Sequence, residues 1–304
     1  MNKYDLVIIG SGASGLSAGV AALKSGLKNI LILEKEDILG GNLNLFINNG
    51  FGEYYLNKIV TGPELGSILI KDYKELGGKY KINTRVLDIN IDKIITYVNP
   101  DEGIQEIEAK AIILATGCRE KYTGNIMIPI HKFTGIFTIG SAHRLINYNG
   151  YLPGKEVVIS GSDIWTLILA RRLVIEGASI KGIITERKCF NRDELAIING
   201  FNIPIIYQSQ IVEIEGDERI NLTRVKNIDT DEITSIECDS LVLSVGYLPD
   251  NDFIRKMNII INENNHTSVE GIFVCGTMKN GIESLLNSGE NGYEVGKQVS
   301  KYLK

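Results

Sequence analysis

The hydrophobic pattern at the start of the chain consists of two short apolar runs joined by a segment of small residues. Residues 6–9 and 30–33 are uninterrupted apolar runs of a length that suits buried β-strands, and the Ala-rich segment between them is long enough for a helix. Glycines follow the first run at positions 10, 12 and 15, and Glu34 follows the second. This order of strand, glycine turn, helix, strand and acid predicts a dinucleotide-binding unit.

Each part of this motif has a physical role in holding a dinucleotide. Gly10 permits the tight turn out of the strand, Gly12 lets a pyrophosphate approach the backbone, and Gly15 lets helix and strand pack closely. The helix N-terminus offers unpaired N–H groups and a partial positive charge to the phosphates. Glu34 can accept hydrogen bonds from a ribose, and an acid at this position favours free ribose hydroxyls over a 2′-phosphate.

A further apolar run, at residues 111–114, ends in a turn of small residues at 115–117. An apolar run followed by Ala-Thr-Gly is typical of flavoproteins, as is the glycine pair at residues 40–41, which lets the chain cross near the flavin end of the cofactor. Together with the first motif, these patterns favour FAD over NAD as the ligand of the N-terminal fold.

The second half of the chain repeats this layout in altered form. A strand pattern leads into Gly161, a helix pattern follows, and a strand at 180–185 ends in Glu186. Such an internal repeat indicates a second dinucleotide fold. Its second and third glycines, however, are replaced by Asp163 and Thr166. Because the Asp163 carboxylate would stand where a pyrophosphate should bind, at an electrostatic cost of kilocalories, we expect this half not to bind NAD(P)H in the ordinary way.

The remaining pattern predicts how the chain is divided between the two folds. The chain returns to the first fold at about residue 238, which gives an FAD-binding domain of residues 1–120 plus 238–304 and an NAD(P)-binding-like domain of residues 121–237. The N-terminus of the last helix is expected to point at the flavin, where its dipole would stabilise negative charge. The other predicted elements are helices at 64–76, 141–147 and 282–303, strands within 79–110 and at 270–275, and a loop over 42–64.

Composition narrows the class of protein. With 304 residues the chain can form two domains, and a net charge of −5 gives no indication of a nucleic-acid surface. The uncharged stretch at residues 6–23 is interrupted by Gly and Ser, so we expect no membrane span, and no secretory signal is evident. The four cysteines are far apart and form no C-x-x-C, so we expect reduced thiols, a cytoplasmic location and no metal site.

The chain resembles the two-dinucleotide-domain flavoproteins of the pyridine nucleotide–disulfide oxidoreductase superfamily. Within it, the chain looks closest to the NAD(FAD)-dependent dehydrogenases encoded with anaerobic glycerol-3-phosphate dehydrogenase. It is also similar to the FAD subunits of hydrogen cyanide synthase, opine oxidase and amino-acid dehydrogenase complexes. Besides the glycine motifs, the segments that carry the resemblance are 48–52, 61–64, 117–120, 124–129, 144–147, 150–155 and 170–173.

The resemblance implies an α/β fold with two Rossmann-like dinucleotide-binding domains in a thioredoxin-reductase-like layout, the second domain inserted in the first. FAD is the implied cofactor, and the use of NAD(P)H is left open. The residues expected to contact the cofactor are Gly10, Gly12, Ala13, Ser14, Gly15, Glu34, Lys35, Gly41, Asn42, Val86, Ala115, Thr116, Gly117, Gly276 and Thr277.

Two departures from the superfamily pattern bear on the chemistry. Thr277 replaces the usual Asp that holds the ribityl or phosphate region, which implies weaker FAD binding. Neither usual location of the redox disulfide contains a cysteine pair, so disulfide reduction by an internal dithiol is excluded.

No catalytic acid–base pair stands out. His143 is a candidate proton donor, with a capping or surface histidine as the alternative, and His131 and His266 are predicted to be loop residues. Cys118 and Cys275 are predicted to be packing cysteines.

Three functions remain open at this point. The first is an FAD-dependent oxidoreductase, or the FAD subunit of a dehydrogenase complex, that takes electrons from a small organic substrate or a partner protein. The second is an NAD(P)H-dependent flavoprotein reductase. The third is a non-catalytic nucleotide-binding scaffold subunit. Homo- or hetero-oligomers are compatible with each of these functions.

Overall fold

The computed structural model describes residues 1–121, 128–130, 132–262 and 264–304, with the backbone alone at position 283. Two predictions fall outside the described residues, namely the part of the 124–129 segment up to residue 127 and the loop position of His131. The chain divides into two compact units, the first formed by residues 1–119 and 247–304 and the second by residues 120–246.

The first unit is a mixed α/β structure, and its elements are numbered here along the whole chain. Its strands are β1 (Asn2–Ile9), β2 (Ile30–Leu33), β3 (Asn49–Phe51), β4 (Val60–Thr61), β5 (Lys79–Lys81), β6 (Arg85–Ile89), β7 (Ile94–Asn99), β8 (Gly103–Leu114), β9 (Cys118–Glu120, which ends in the second unit), β18 (Tyr247–Pro249) and β19 (Ile272–Val274). Its helices are α1 (Ala13–Lys24), α2 (Glu53–Leu56), α3 (Gly62–Glu75), α7 (Asp252–Lys256), α8 (Thr277–Asn280) and α9 (Ser288–Tyr302), with 3-10 turns at Gly41–Asn44 and Ile282–Ser284.

The main sheet of the first unit has the strand order β5-β2-β1-β8-β7-β6, and β19 pairs with the C-terminal part of β8. Strands β5, β2, β1, β8 and β19 run parallel, whereas β7 is antiparallel to β8 and β6 to β7. The apolar runs of β1, β2, β8 and β19 are buried because both faces of the sheet are covered there, whereas β5 is a polar, largely exposed edge strand. Their C-terminal ends therefore lie at one edge of the sheet.

Helix α9 packs directly on helix α1 through glycines. A Cβ at Gly292 would lie 2.1 Å from the Ser14 carbonyl oxygen, and one at Gly296 would lie 2.3 Å from the Ala18 oxygen. The two backbones can approach this closely only because these positions lack side chains. The last helix of the chain is therefore held against the helix that follows the glycine motif.

The second unit contains two sheets. Its strands are β10 (Ile136–Thr138), β11 (Glu156–Ser160), β12 (Ser179–Ile184), β13 (Ile205–Ile206), β14 (Ser209–Gly216), β15 (Ile220–Asn227), β16 (Ile233–Glu237) and β17 (Ser240–Leu243), and its helices are α4 (Ile139–Asn149), α5 (Ile164–Ile175) and α6 (Arg192–Ala196). One sheet is parallel with the order β10-β17-β11-β12-β13, and the other is antiparallel with the order β14-β15-β16.

The structure corrects three sequence-based expectations. Strand β17 pairs with β10 and β11, so the chain returns to the first unit at Tyr247 and not at residue 238. A short apolar run fits either parallel sheet, and only the pairing decides between them. The last helix begins at Ser288 and not at 282, because Gly281 adopts φ +77° and starts a separate turn. The segment 42–64, predicted as a loop, contains β3, α2 and β4.

Candidate functional site

Three of the sequence motifs meet at the C-terminal edge of the main sheet of the first unit. Ile9 of β1 pairs with Leu114 of β8, and Leu114 pairs with Val274 of β19. The segments that follow these strands are the glycine motif, the turn at 115–117 and the turn at 275–277. Ligands of open α/β sheets bind outside the C-terminal ends of the strands, so this edge is the candidate cofactor site.

The glycine motif folds as its sequence requires. Gly10 has φ +101°, and a Cβ there would lie 2.5 Å from the Ala115 carbonyl oxygen. A Cβ at Gly15 would lie 2.0 Å from the oxygen of Gly10 itself, so the helix starts in contact with the turn. At Gly12, by contrast, no atom of the described residues lies within 4 Å of the Cβ position. The backbone at Gly12 therefore faces open space that a phosphate group can enter.

The N-terminus of α1 is open to an anion. Its N-cap is Gly12, which provides no side-chain cap, and no acidic side chain lies in its first turn. Within the described part of the chain, the N–H groups of Ala13, Ser14 and Gly15 donate no hydrogen bond. Unpaired N–H groups and the positive end of the helix dipole together form a phosphate-binding position.

Glu34 is buried and bonded mainly to the glycine motif. Its Oε2 accepts hydrogen bonds from the Ser11 backbone N–H at 2.8 Å and from the Ser11 hydroxyl at 2.6 Å, and its Oε1 accepts one from the Glu36 N–H at 3.0 Å. A carboxylate can accept about four hydrogen bonds, so capacity for about one more remains. Glu34 thus fixes the turn as well as offering an acceptor to a ribose, a structural role that sequence reasoning missed.

The second glycine pair lies directly against the first motif. The Gly40 N–H donates to the Ser11 carbonyl oxygen at 3.1 Å, and a Cβ at Gly41 would lie 3.0 Å from the Cα of Gly12. Asn42 is half-buried in the same 3-10 turn. Lys35 is exposed next to Glu34, and Val86 is half-buried on β6, where it packs against the apolar core of the sheet. Their contact with the cofactor stays a prediction.

The turn after β8 contacts the turn after β19. The Ala115 N–H donates to the Ile9 carbonyl oxygen at 2.9 Å, and the Thr116 hydroxyl donates to the Asp250 carbonyl oxygen at 2.6 Å. Gly117 adopts φ +78°, and its Cβ position is 3.7 Å from the hydroxyl oxygen of Thr277. The sequence motifs at 115–117 and 276–277 are therefore neighbours in the structure.

Cys118 directly follows the turn at 115–117 and is a free thiol. Its Sγ–H donates to the Thr277 carbonyl oxygen at 3.0 Å, and burial raises the pKa of the thiol. Burial also raises the pKa of Cys275 to about 12. Both results agree with the predicted packing role, since a reactive cysteine needs a lowered pKa. All four cysteines lie in the described part of the chain and are free, with Cys189 exposed.

Gly276 and Thr277 form the third part of the site. Gly276 adopts φ +72°, and a Cβ there would lie 2.0 Å from the Ser14 hydroxyl oxygen, so only glycine fits. The Gly276 N–H donates to the Asn291 side-chain oxygen at 2.7 Å. Asn291 lies on α9 and carries no recognisable signal in the sequence.

In the second unit, the helix N-terminus that corresponds to the phosphate-binding start of α1 is occupied by the carboxylate of Asp163. Asp163 is the N-cap of α5, and its Oδ1 accepts hydrogen bonds from the Thr166 N–H and hydroxyl, both at 3.0 Å. Its Oδ2 accepts a hydrogen bond from the Ser244 hydroxyl. A Cβ at Gly161 would lie 2.2 Å from the hydroxyl oxygen of Thr166, which shows how closely Thr166 covers the turn. Glu186 is exposed after β12.

His143 lies in the interior of the second unit on α4. Burial lowers its pKa to about 4, and a hydrogen bond with the backbone of Trp165 opposes that shift. The imidazole is therefore neutral at pH 7 and does not carry the extra proton of a ready proton donor. A capping or surface role does not fit its burial either.

Two further features limit the chemistry of the described residues. Among them, no group of three His, Cys, Asp or Glu side chains is placed to hold a metal ion. None of the helices in the described ranges has both the length and the apolar character needed to span a membrane.

The fold and the site define a dinucleotide-binding oxidoreductase with two α/β units. Residues 4–292 match the family model described as pyridine nucleotide-disulphide oxidoreductase, so the chain belongs to this family. This membership confirms the superfamily that the sequence resembles.

Three similar proteins extend this result. The chain is 26% identical to a 34.2 kDa protein in the rubredoxin operon of Clostridium pasteurianum, over 99% of this chain and 97% of that protein. It is also 26% identical to a thioredoxin reductase of Peptoclostridium acidaminophilum, over 100% of this chain and 98% of that protein. The crystal structure of T. acidophilum thioredoxin reductase is similar with a TM-score of 0.80 and 24% identity, covering 99% of this chain and 98% of that one. The predicted fold class and thioredoxin-reductase-like layout are thereby confirmed.

The chain is an FAD-dependent oxidoreductase of this family, and the residues of the first unit fit that cofactor. The open space at Gly12 and the unpaired N–H groups at the start of α1 suit its pyrophosphate. The remaining acceptor capacity of Glu34 suits the hydroxyls of its adenosine ribose.

Proposed function

We propose that the flavin of this oxidoreductase receives electrons from a small organic substrate or a protein partner, and neither directly from NAD(P)H nor through a protein disulfide. The observation that carries the proposal is the position of Asp163. Its carboxylate occupies the N-terminus of α5 and bonds Thr166 and Ser244, where a second dinucleotide would place its pyrophosphate. Two anions at one helix N-terminus repel each other strongly in a cleft.

In this proposal the first unit holds FAD and the second is a dinucleotide-type fold without a bound nucleotide. The start of α1 and Gly12 bind the pyrophosphate, Glu34 binds the adenosine ribose, and the turns at 115–117 and 276–277 line the flavin half. FAD supplies the redox chemistry when bound. The protein binds and orients it, and the N-terminus of α9 favours negative charge.

The cysteines support the absence of a redox disulfide. Two thiols belong to segments of the candidate cofactor site, Cys118 after the turn at 115–117 and Cys275 before Gly276, but both are free and no C-x-x-C pair is formed. Cys189 and Cys238 lie far from both in the sequence and are also free. Burial raises the pKa of Cys118 and raises the pKa of Cys238 to about 11. A dithiol mechanism needs two adjacent thiols with one lowered pKa.

The test is an anaerobic absorbance titration of the FAD-loaded protein with NADH and then NADPH. The proposal expects the flavin band near ~450 nm to persist with either nucleotide and to bleach with dithionite, which shows that the flavin is reducible. Bleaching at stoichiometric NADH or NADPH contradicts the proposal.

Bleaching of the flavin by NADH or NADPH would establish the second candidate function, an NAD(P)H-driven flavoprotein reductase. The feature that favours it is the intact five-stranded parallel sheet of the second unit, with Gly161 and Glu186 in place after β11 and β12. A purified protein that is colourless and does not take up FAD would instead support a nucleotide-free scaffold subunit.

The relative from a rubredoxin operon favours a protein electron carrier as the partner. A pull-down with the FAD-loaded protein as bait, followed by flavin-dependent electron transfer to the captured protein, tests this choice. A cytoplasmic location remains a prediction, and both homo- and hetero-oligomers are compatible with this proposal.

A further inference from the structure

Asn291 joins two elements at the β19 side of the candidate cofactor site. Its side-chain oxygen accepts the N–H of Gly276 at 2.7 Å, which ties the turn after β19 to the first turns of α9. Gly276 is already confined, because it has φ +72° and its Cβ position is 2.0 Å from the Ser14 hydroxyl oxygen. The bond from Asn291 therefore fixes a turn that also contacts the start of α1.

The Asn291 amide is itself oriented by a second asparagine. The Asn265 side-chain oxygen accepts hydrogen bonds from the Lys279 ammonium at 2.9 Å and from the Asn291 amide nitrogen at 3.5 Å. The Asn265 backbone is held as well, since its carbonyl oxygen accepts the Val274 N–H at 2.9 Å. With its nitrogen engaged by Asn265, Asn291 presents its oxygen to Gly276.

The strand order places this group at the flavin half of the cofactor. Glu34, the adenosine-ribose acceptor, follows β2, and the phosphate-binding start of α1 follows β1. Strands β8 and β19 continue the sheet on the side of β1 away from β2. A dinucleotide that crosses the edge from β2 over β1 therefore reaches the turn at Gly276 with its ribityl and flavin portion.

We propose that Asn291 is a positioning residue for the flavin half of FAD, which it serves by holding the Gly276–Thr277 turn against α9. This inference rests on the assignment of FAD to this edge of the first unit. Thr277 has no carboxylate with which to hold the ribityl or phosphate region of FAD. The backbone of the turn therefore supplies more of the contact with the cofactor. By fixing the backbone of this turn, Asn291 raises the affinity for FAD without touching the cofactor itself.

The test compares FAD with ADP, because ADP contains the adenosine and pyrophosphate but lacks the ribityl and flavin portion. Deflavinated protein is titrated calorimetrically with each ligand for the wild type, Asn291→Ala, Asn291→Asp and the control Lys301→Ala. Lys301 is exposed in the last turn of α9. Thermal melts of the apoproteins confirm that each variant is folded.

Asn291→Ala is expected to weaken FAD binding about tenfold and to leave ADP binding within about twofold. Asn291→Asp, which keeps an acceptor for the Gly276 N–H, is expected to restore most of the FAD affinity, and Lys301→Ala to match the wild type. Equal losses for both ligands, or no loss for FAD, overturn the inference while FAD binding by the wild type still stands. A wild type that binds ADP but not FAD overturns the FAD assignment itself, and this inference with it.

Discussion

The hydroxyl of Ser244 donates a hydrogen bond to the carboxylate of Asp163, which joins the segment after β17 to the turn after β11. These two strands are adjacent in the parallel sheet of the second unit, and a dinucleotide would have to enter between the segments that follow them. The same carboxylate caps α5 through Thr166. The crevice is therefore closed by side chains of the protein itself.

Opening that crevice should create affinity for a dinucleotide. The double variant Asp163→Gly/Thr166→Gly removes the competing anion and the side chain over Gly161, and we expect it to bind NADH at least about tenfold more tightly than the wild type. Trp165 is the only tryptophan of the chain and directly precedes Thr166, so quenching of its fluorescence by NADH reports binding. The single variant Ser244→Ala, which keeps the Asp163 carboxylate, is the control. Equal NADH affinity in the double variant and the wild type would contradict this account of the crevice.

A methyl group at Gly41 should impair FAD binding specifically. Gly41 has φ +52°, and a Cβ there would lie 3.0 Å from the Gly12 Cα, so Gly41→Ala displaces the open backbone at Gly12. Gly26→Ala is the matched control, because Gly26 has φ +98° with open space around its Cβ position among the described residues. Both variants should lose about 1 kcal/mol of unfolding free energy or more from backbone strain. Only Gly41→Ala should bind FAD more weakly, by about tenfold, as measured by flavin fluorescence, and an equal loss in Gly26→Ala would argue against a local cause.

The thiols should react in an order set by burial. Exposed Cys189 is expected to react first with iodoacetamide, and Cys118 more slowly because burial raises its pKa. Cys238 and Cys275, with pKa values raised to about 11 and about 12, should react only after unfolding. Peptide mass spectrometry over time measures the order, and Cys189→Ser should abolish the fast phase. Formation of an intramolecular disulfide on mild oxidation would contradict a mechanism without a dithiol.

The second unit should lose stability in mild acid through His143. Its pKa is about 4 in the folded protein and about 6.5 when unfolded, so below pH 6.5 the unfolded chain takes up a proton that the folded chain does not. The free energy of unfolding should therefore fall as the pH drops from about 6.5 to 4, by at most about 3 kcal/mol from this residue. Urea unfolding followed by Trp165 fluorescence measures it. His143→Leu should flatten the decline over this window, and an unchanged slope would assign the decline to other groups.

The glycine motifs could be predicted from the sequence because their requirements are local. Gly10, Gly12 and Gly15 each serve a turn, an open approach or a close contact, and all three behave as their spacing indicates. The obstruction at Asp163 was also predictable, since a carboxylate at a helix N-terminus is a strong local signal, although its bond to Ser244 was not.

The features that could not be predicted from the sequence are contacts between residues that lie far apart in the chain. Asn291 contacts Gly276 across fifteen positions and looks like any asparagine in a glycine-rich helix start. Strand β17 lies in the parallel sheet of the second unit because it pairs with β11. A four-residue apolar run does not encode that pairing. The double use of Glu34 followed only from its distances to Ser11.

Strand β19 carries a consequence for the order in which the protein is made. It completes the edge of the main sheet by pairing with residues 112–114 of β8, yet it is translated only after the whole second unit. At ribosomal rates of about 5–20 residues per second, the nascent first unit waits roughly 8–30 s with that edge of β8 unpaired. The second unit, continuous in sequence, can fold during that wait. The turn at Gly276, which follows β19, therefore joins the other two segments of the cofactor site only after the second unit has been translated.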